Sequence, residues 1–189
     1  YYLNRMEDAF RTNKEVIRYC TDHASFDRSR ALLAEAFNNQ GVYWQELGER
    51  DSAIRVLKSA INILQMTPNR NVLTSVYINL ADCHLQKGDY PQCGFYYRKA
   101  LLVADSLALG YRDHFAIYSG LAKLYLELEN FPEANEYFVK AEQIGNSCTP
   151  YERYFFSNTC GNYYYNTKEY EKALDWFRKA DRITEAFPQ

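Results

Sequence analysis

The stretch Ala81-Asp82-Cys83-His84-Leu85-Gln86-Lys87-Gly88-Asp89-Tyr90-Pro91-Gln92-Cys93-Gly94-Phe95-Tyr96-Tyr97-Arg98-Lys99-Ala100 decides how this chain is read. It holds a small residue (Ala81), a ring three positions on (His84), a glycine at +7 (Gly88), and a small, aromatic, small set at +12, +16 and +19 (Cys93, Tyr97, Ala100). The same offsets recur at Gly41, Trp44, Gly48, Ala53, Leu57 and Ala60, at Ala122, Tyr125, Glu129, Ala134, Phe138 and Ala141, and at Gly161, Tyr164, Lys168, Ala173, Phe177 and Ala180. The steps between units are 81 − 41 = 40, 122 − 81 = 41 and 161 − 122 = 39 residues. Self-similarity at a fixed period is the mark of an architecture in which each unit buries its apolar face on the next.

Each offset has a physical meaning. Residues three or four apart share one helix face. The small residue lets a neighbouring helix approach, and the large one fills the space beside it. The pattern breaks at Gly48, Gly88-Asp89, Glu129-Asn130 and Thr167-Lys168-Glu169, and Pro91 and Pro132 follow two of these breaks. Proline suits a helix's first turn, where its missing N–H is not needed. Each unit therefore reads as helix, tight turn, helix. Between units, Gln65 to Asn69, Leu109-Gly110-Tyr111 and Gly145 to Pro150 are punctuation. Thr149-Pro150-Tyr151-Glu152 reads as a helix start with a Thr cap and Glu at the capping-box position.

Working outward, residues 1–29 carry no full repeat. Leu3, Met6, Phe10, Asn13, Ile17 and Cys20 recur at helical spacing, so the segment reads as an amphipathic helix, the second half of a preceding unit, with Ser25 to Ser29 as the turn that follows. Shifting the first repeat back by 40 places Ile17 under Leu57 and Cys20 under Ala60. Residues 30–189 then hold four repeats, about 30–70, 71–110, 111–149 and 150–189. The expected fold class is all-α, an α-solenoid of antiparallel helix pairs.

Composition narrows the function. The chain has 189 residues, roughly one domain's length. Lys and Arg number 22 and Asp and Glu 24, a net charge of −2, so no basic stripe for nucleic acid is present. Only residues 111–150 lean, with 3 basic against 6 acidic groups, through Glu127, Glu129, Glu133, Glu136 and Glu142 beside Asp113. This block is either a solvated face or a docking patch for a basic peptide. No run of ~20 apolar residues predicts a membrane span. The opening Tyr1-Tyr2-Leu3 has neither Met nor a leader pattern, so the chain reads as a piece of a longer protein without a signal peptide. Cys20, Cys83, Cys93, Cys148 and Cys160 form no CxxC pair, and read as free thiols of a reducing, cytoplasmic compartment.

The repeat resembles the tetratricopeptide repeat, whose consensus has a small residue and Tyr in the first helix, Gly or Asp at the turn, and Ala, Phe or Tyr, and Ala in the second. Gly88-Asp89-Tyr90 and Glu169-Tyr170-Glu171-Lys172-Ala173 resemble its turn. The ~40-residue step exceeds the family's usual 34 and resembles longer variants, as in kinesin light chains and bacterial regulators. The extra residues are expected to lengthen the helices or the turns between repeats.

The resemblance implies a right-handed superhelix whose first helices line a concave groove for a protein or peptide segment. The inward positions would be Asn39, Val42 and Gln45; Asn79, Asp82 and Leu85; Gly120, Lys123 and Leu126; and Thr159, Asn162 and Tyr165. Asn38, Asn158 and Asn166 border them. An asparagine amide can pair with a peptide main chain, and in the longer relatives an Asn-Leu-Gly-like run plays that part. Asn39-Gln40-Gly41 and Asn79-Leu80-Ala81 match it; the third and fourth units do not. The alternative is that these amides are solvated or tie helices together. The family's clamp for chaperone tails needs Lys and Arg on adjacent first helices. Only Lys123 is basic here, so that partner is not expected.

No catalytic motif is present: no HExxH, Gly-rich phosphate loop or GxSxG. His84 replaces an aromatic, Cys83 and His84 point to different faces, and Glu127 and Glu129 read as turn residues outside any pocket. The expectation is a non-enzymatic binding module of a larger regulatory protein in signalling or transcription, with no cofactor or metal and no nucleic-acid or membrane partner. Self-association as a homodimer through Tyr1, Tyr2, Leu3, Met6, Ile183 and Phe187 is the rival reading.

Overall fold

A computed structural model describes residues 2–23, 25–67, 72–145 and 148–185. Tyr1 and Phe187 lie outside the described residues, as do the side chains of Tyr2, Leu3 and Met6. The described residues form nine helices and no strand: α1 (Tyr2–Asp22), α2 (Asp27–Glu46), α3 (Arg50–Leu64), α4 (Leu73–Gln86), α5 (Tyr90–Ser106), α6 (Tyr111–Glu127), α7 (Phe131–Ile144), α8 (Pro150–Asn166) and α9 (Tyr170–Glu185). The fold is all-α, built from repeated helix pairs. Two compact units contain them, residues Tyr1–Leu107 with α1 to α5 and Ala108–Gln189 with α6 to α9. In the first unit α2 pairs with α3 and α4 with α5; in the second α6 pairs with α7 and α8 with α9. No described helix is long and apolar enough to cross a membrane.

Every pair closes with the same turn. The Gly48 amide donates to Gln45 (2.9 Å) and Glu49 to Trp44 (2.8 Å); Gly88 donates to Leu85 and Asp89 to His84 (3.0 and 2.9 Å). Glu129 and Asn130 do the same to Leu126 and Tyr125, and Lys168 and Glu169 to Tyr165 and Tyr164. This is the Schellman closure, and its penultimate residue needs a left-handed backbone. The φ values there are +76° at Gly48 and +73° at Gly88, but +54° at Glu129 and +64° at Lys168, where a Cβ makes the conformation costly. The next helix starts at once. Pro91 and Pro132 sit in the first turns of α5 and α7, and Asp89 accepts from the Gln92 amide. At α8 the capping box forms: Thr149 and Glu152 exchange side-chain and backbone hydrogen bonds.

The repeat offsets are the packing. At Gly41, an added Cβ would lie 2.6 Å from Leu57 Cγ and Cδ2; at Gly161, it would lie 2.6 Å from Phe177 Cδ1. The first helix thus rests its small residue directly on the large residue of the second. Leu57, Tyr97 and Phe138 are buried at that position, as are Ala53, Cys93, Ala134 and Ala173 four residues before it and Ala60, Ala100, Ala141 and Ala180 three after it. In the second and third repeats the +3 ring lies on the second helix's flank: His84 stacks on Tyr96 at 5.4 Å and Tyr125 on Tyr137 at 5.7 Å.

α1 packs on α2. Phe10 stacks on Tyr43 at 3.9 Å, Asn13 Nδ2 donates to the Ala36 carbonyl (2.8 Å), and Cys20 is buried. The turn after α1 is shorter than Ser25 to Ser29, because Asp27 already opens α2 with Phe26 as its cap residue. First helices of the pairs have 20, 14, 17 and 17 residues.

Two outcomes follow from this packing. Helix propensity alone makes Gly41→Ala stabilising by up to about 1 kcal/mol. The Leu57 contact reverses that sign, and urea unfolding should show a loss of about 1–3 kcal/mol. At the αL turn, Lys168→Gly should raise stability by about 0.5–1 kcal/mol in the same assay.

Candidate functional site

The candidate site lies on the first helices, and its polar groups differ in what they are free to do. In the first unit, α4 turns Asn79 toward α2. Its Nδ2 donates to Asn38 Oδ1 (2.9 Å), and its carbonyl accepts from Gln45 Nε2 (3.1 Å). Asn79 and Gln45 therefore join the two helices, the tying role that sequence left open for these amides. Asp82 accepts a hydrogen bond from the Tyr97 hydroxyl. Burial and the nearby Asp82 push that hydroxyl well above its ordinary pKa, so it remains a donor. Leu85 is buried, 8% exposed. Asn39 and Val42 face outward and line a cleft of about 330 Å³ with Ala9, Phe10 and Asn13 of α1 and Tyr43 and Glu46 of α2.

The second unit brings three of the expected residues together. Leu126 at the end of α6 and Asn162 and Tyr165 on α8 line a cleft of about 540 Å³. Asn166, Phe131, Glu127 and Glu129 complete it. Tyr165 is 60% exposed and Asn162 is exposed, while Leu126 forms the apolar floor at 9%. Lys123 is exposed on α6 and does not line this cleft. Half-buried Thr159 binds back to the Phe155 carbonyl (2.9 Å), and Asn158 to that of Tyr154 (3.1 Å).

The cleft corrects one reading. Glu127 and Glu129 do sit at a turn, yet both line the cleft, because the end of α6 lies beside α8. Sequence reasoning also missed Phe131. A signal existed for it: nine residues after the small residue, three units carry an aromatic, Tyr90, Phe131 and Tyr170.

His84 keeps the packing place of the aromatic it replaces. His84 is buried against Tyr96, and its Nδ1 donates to Asp89 Oδ2 (2.9 Å), so it braces the turn. His23 and His114 place Nδ1 near the Tyr19 and Gly110 carbonyls (2.8 and 3.2 Å). All five cysteines are buried and outside any disulfide. Burial pushes Cys83 up to about 12, with Asp82 adding to it, and raises Cys20, Cys148 and Cys160 as well. These four stay protonated at neutral pH, and a thiolate is the form a nucleophile needs.

Family models of the tetratricopeptide repeat match residues 72–147 and 159–187. The chain belongs to the tetratricopeptide repeat family. Among solved structures, BtubC (BKLC) from P. vanneervenii is similar over 97% of this chain and 75% of its own, with a TM-score of 0.76 and 18% identity. The apo form of RapI is similar over 96% of this chain and 62% of its own, with a TM-score of 0.69 and 16% identity. At these identities the likeness speaks for the fold. No curated protein matches the chain. Tetratricopeptide repeats are protein-interaction modules, and this chain presents the two clefts described above.

Proposed function

We propose that this chain is a protein-binding scaffold or sensing module of a larger cytoplasmic regulatory protein, in signalling or transcription control, and that it holds a partner segment on its first helices. It acts by binding and not by catalysis. The observation that carries this reading is the cleft of Leu126, Asn162 and Tyr165. It combines an apolar floor, amides able to pair with a main chain, and an exposed aromatic ring, the mixture that peptide grooves use. Glu127 and Glu129 at its rim add negative charge without an internal ion pair among the described residues. A segment carrying Lys or Arg is therefore the favoured partner. The Asn39 and Val42 cleft offers less polar reach, and Asn79 and Gln45 are committed to each other's helices.

The test is affinity capture from lysate with the wild type and with Asn162→Ala/Tyr165→Ala, followed by titration of the captured partner. Truncating an exposed anchor ring costs roughly 1–2 kcal/mol, so affinity should fall about five- to thirtyfold. It should also weaken as salt rises, since rim charges are screened. Identical captures by both proteins would move the site off this cleft.

A further inference from the structure

A second cavity in the residues 108–189 unit has no part in the reading above. It encloses about 310 Å³ between the C-terminal end of α7, the opening of α8 and the last turns of α9. Phe156, Trp176 and Ile183 give it an apolar wall, and Arg153, Lys179 and Arg182 face it from two helices. Glu142 is the single carboxylate in its lining, three cations against one anion.

Three features mark the charge as uncompensated. Arg153 Nε is buried and has no hydrogen-bond partner. A buried guanidinium donor left unpaired is costly, and such a group in a native structure calls for an acceptor. Arg153 also stands in the first turn of α8, where the helix dipole disfavours a cation and favours an anion. Lys179 Nζ rests 3.6 Å from the centre of the Trp176 ring, and neither Lys179 nor Arg182 forms an ion pair among the described residues. Helix ends alone account for part of this, since Arg182 complements the α9 C-terminus. They do not account for Arg153, whose helix end has the opposite sign.

We propose that this cavity is a binding site for a small organic anion, a phosphate or carboxylate carried on a compact apolar body. The anionic group would sit among Arg153, Lys179 and Arg182, and the apolar part against Phe156, Trp176 and Ile183. The volume, at the low end for ligand pockets, suits one ring or a short acyl chain.

The chain has two tryptophans, so its indole N–H spectrum contains two signals, and Trp44→Phe assigns them. Phenyl phosphate should shift the Trp176 signal saturably and leave Trp44 in place. Inorganic phosphate should act at the same site more weakly, and benzyl alcohol, the neutral ring alone, should not act. Arg182→Met and Lys179→Met, both at exposed positions, should each weaken phenyl phosphate by about tenfold while the rest of the spectrum persists. No saturable shift up to about 10 mM, an equal response to benzyl alcohol, or unchanged affinity in both variants would overturn the proposal. Failure here leaves the α6/α8 cleft untouched, because its capture experiment does not involve these residues.

Discussion

The structure depends on one steric fit made inside each helix pair: a residue with little or no side chain on the first helix lies against the large residue sixteen positions later on the second. At Gly41 and Gly161 the fit leaves no space for a methyl group, against Leu57 and Phe177 respectively. Alanine occupies the position at Ala81 and Ala122, both fully buried. The close approach sets the crossing of the two helices and brings the flanking alanines of the second helix inside. The +3 ring then covers the second helix's flank in two units, where His84 and Tyr125 stack on Tyr96 and Tyr137.

A fixed interhelix contact requires a fixed reversal, and the four Schellman turns supply it. The turn is made even where the sequence is poorly suited, with Glu129 and Lys168 held at left-handed φ. Tertiary packing overrides local preference at these two residues. The same reversal matters for binding. Glu127 at the end of α6 and Glu129 in the turn itself line the cleft with Asn162 and Tyr165 of α8.

Most of the fold was legible because its signals are local and repeated. Offsets, turn residues, Pro91, Pro132 and the Thr149 capping box each depend on neighbours within one helix pair, which sequence spacing reports directly. The candidate site was legible only in part, since it depends on contacts between pairs. The family resemblance put Asn79 and Gln45 on the groove face with a tying role as the alternative, and only the register of α4 on α2 makes them partners. Leu85 and Leu126 occupy the same repeat position as Gln45 and Tyr165, yet both are buried; their apolar character was the better guide. Glu127 and Glu129 escaped because helical periodicity stops at a turn. The basic cavity escaped because Arg153 comes from α8 while Lys179 and Arg182 come from α9, so no spacing within one helix links all three.

The most direct test of the account is a double-mutant cycle on the steric fit, with Gly161→Ala, Phe177→Leu and the combined variant unfolded in urea. If the small and large residues are matched to each other, shortening the ring makes room for the added methyl. The double variant should then be more stable than the sum of the single losses predicts, by about 1 kcal/mol or more. Strict additivity would contradict the account, showing that the small and large positions act separately and that something else sets the approach of the helices.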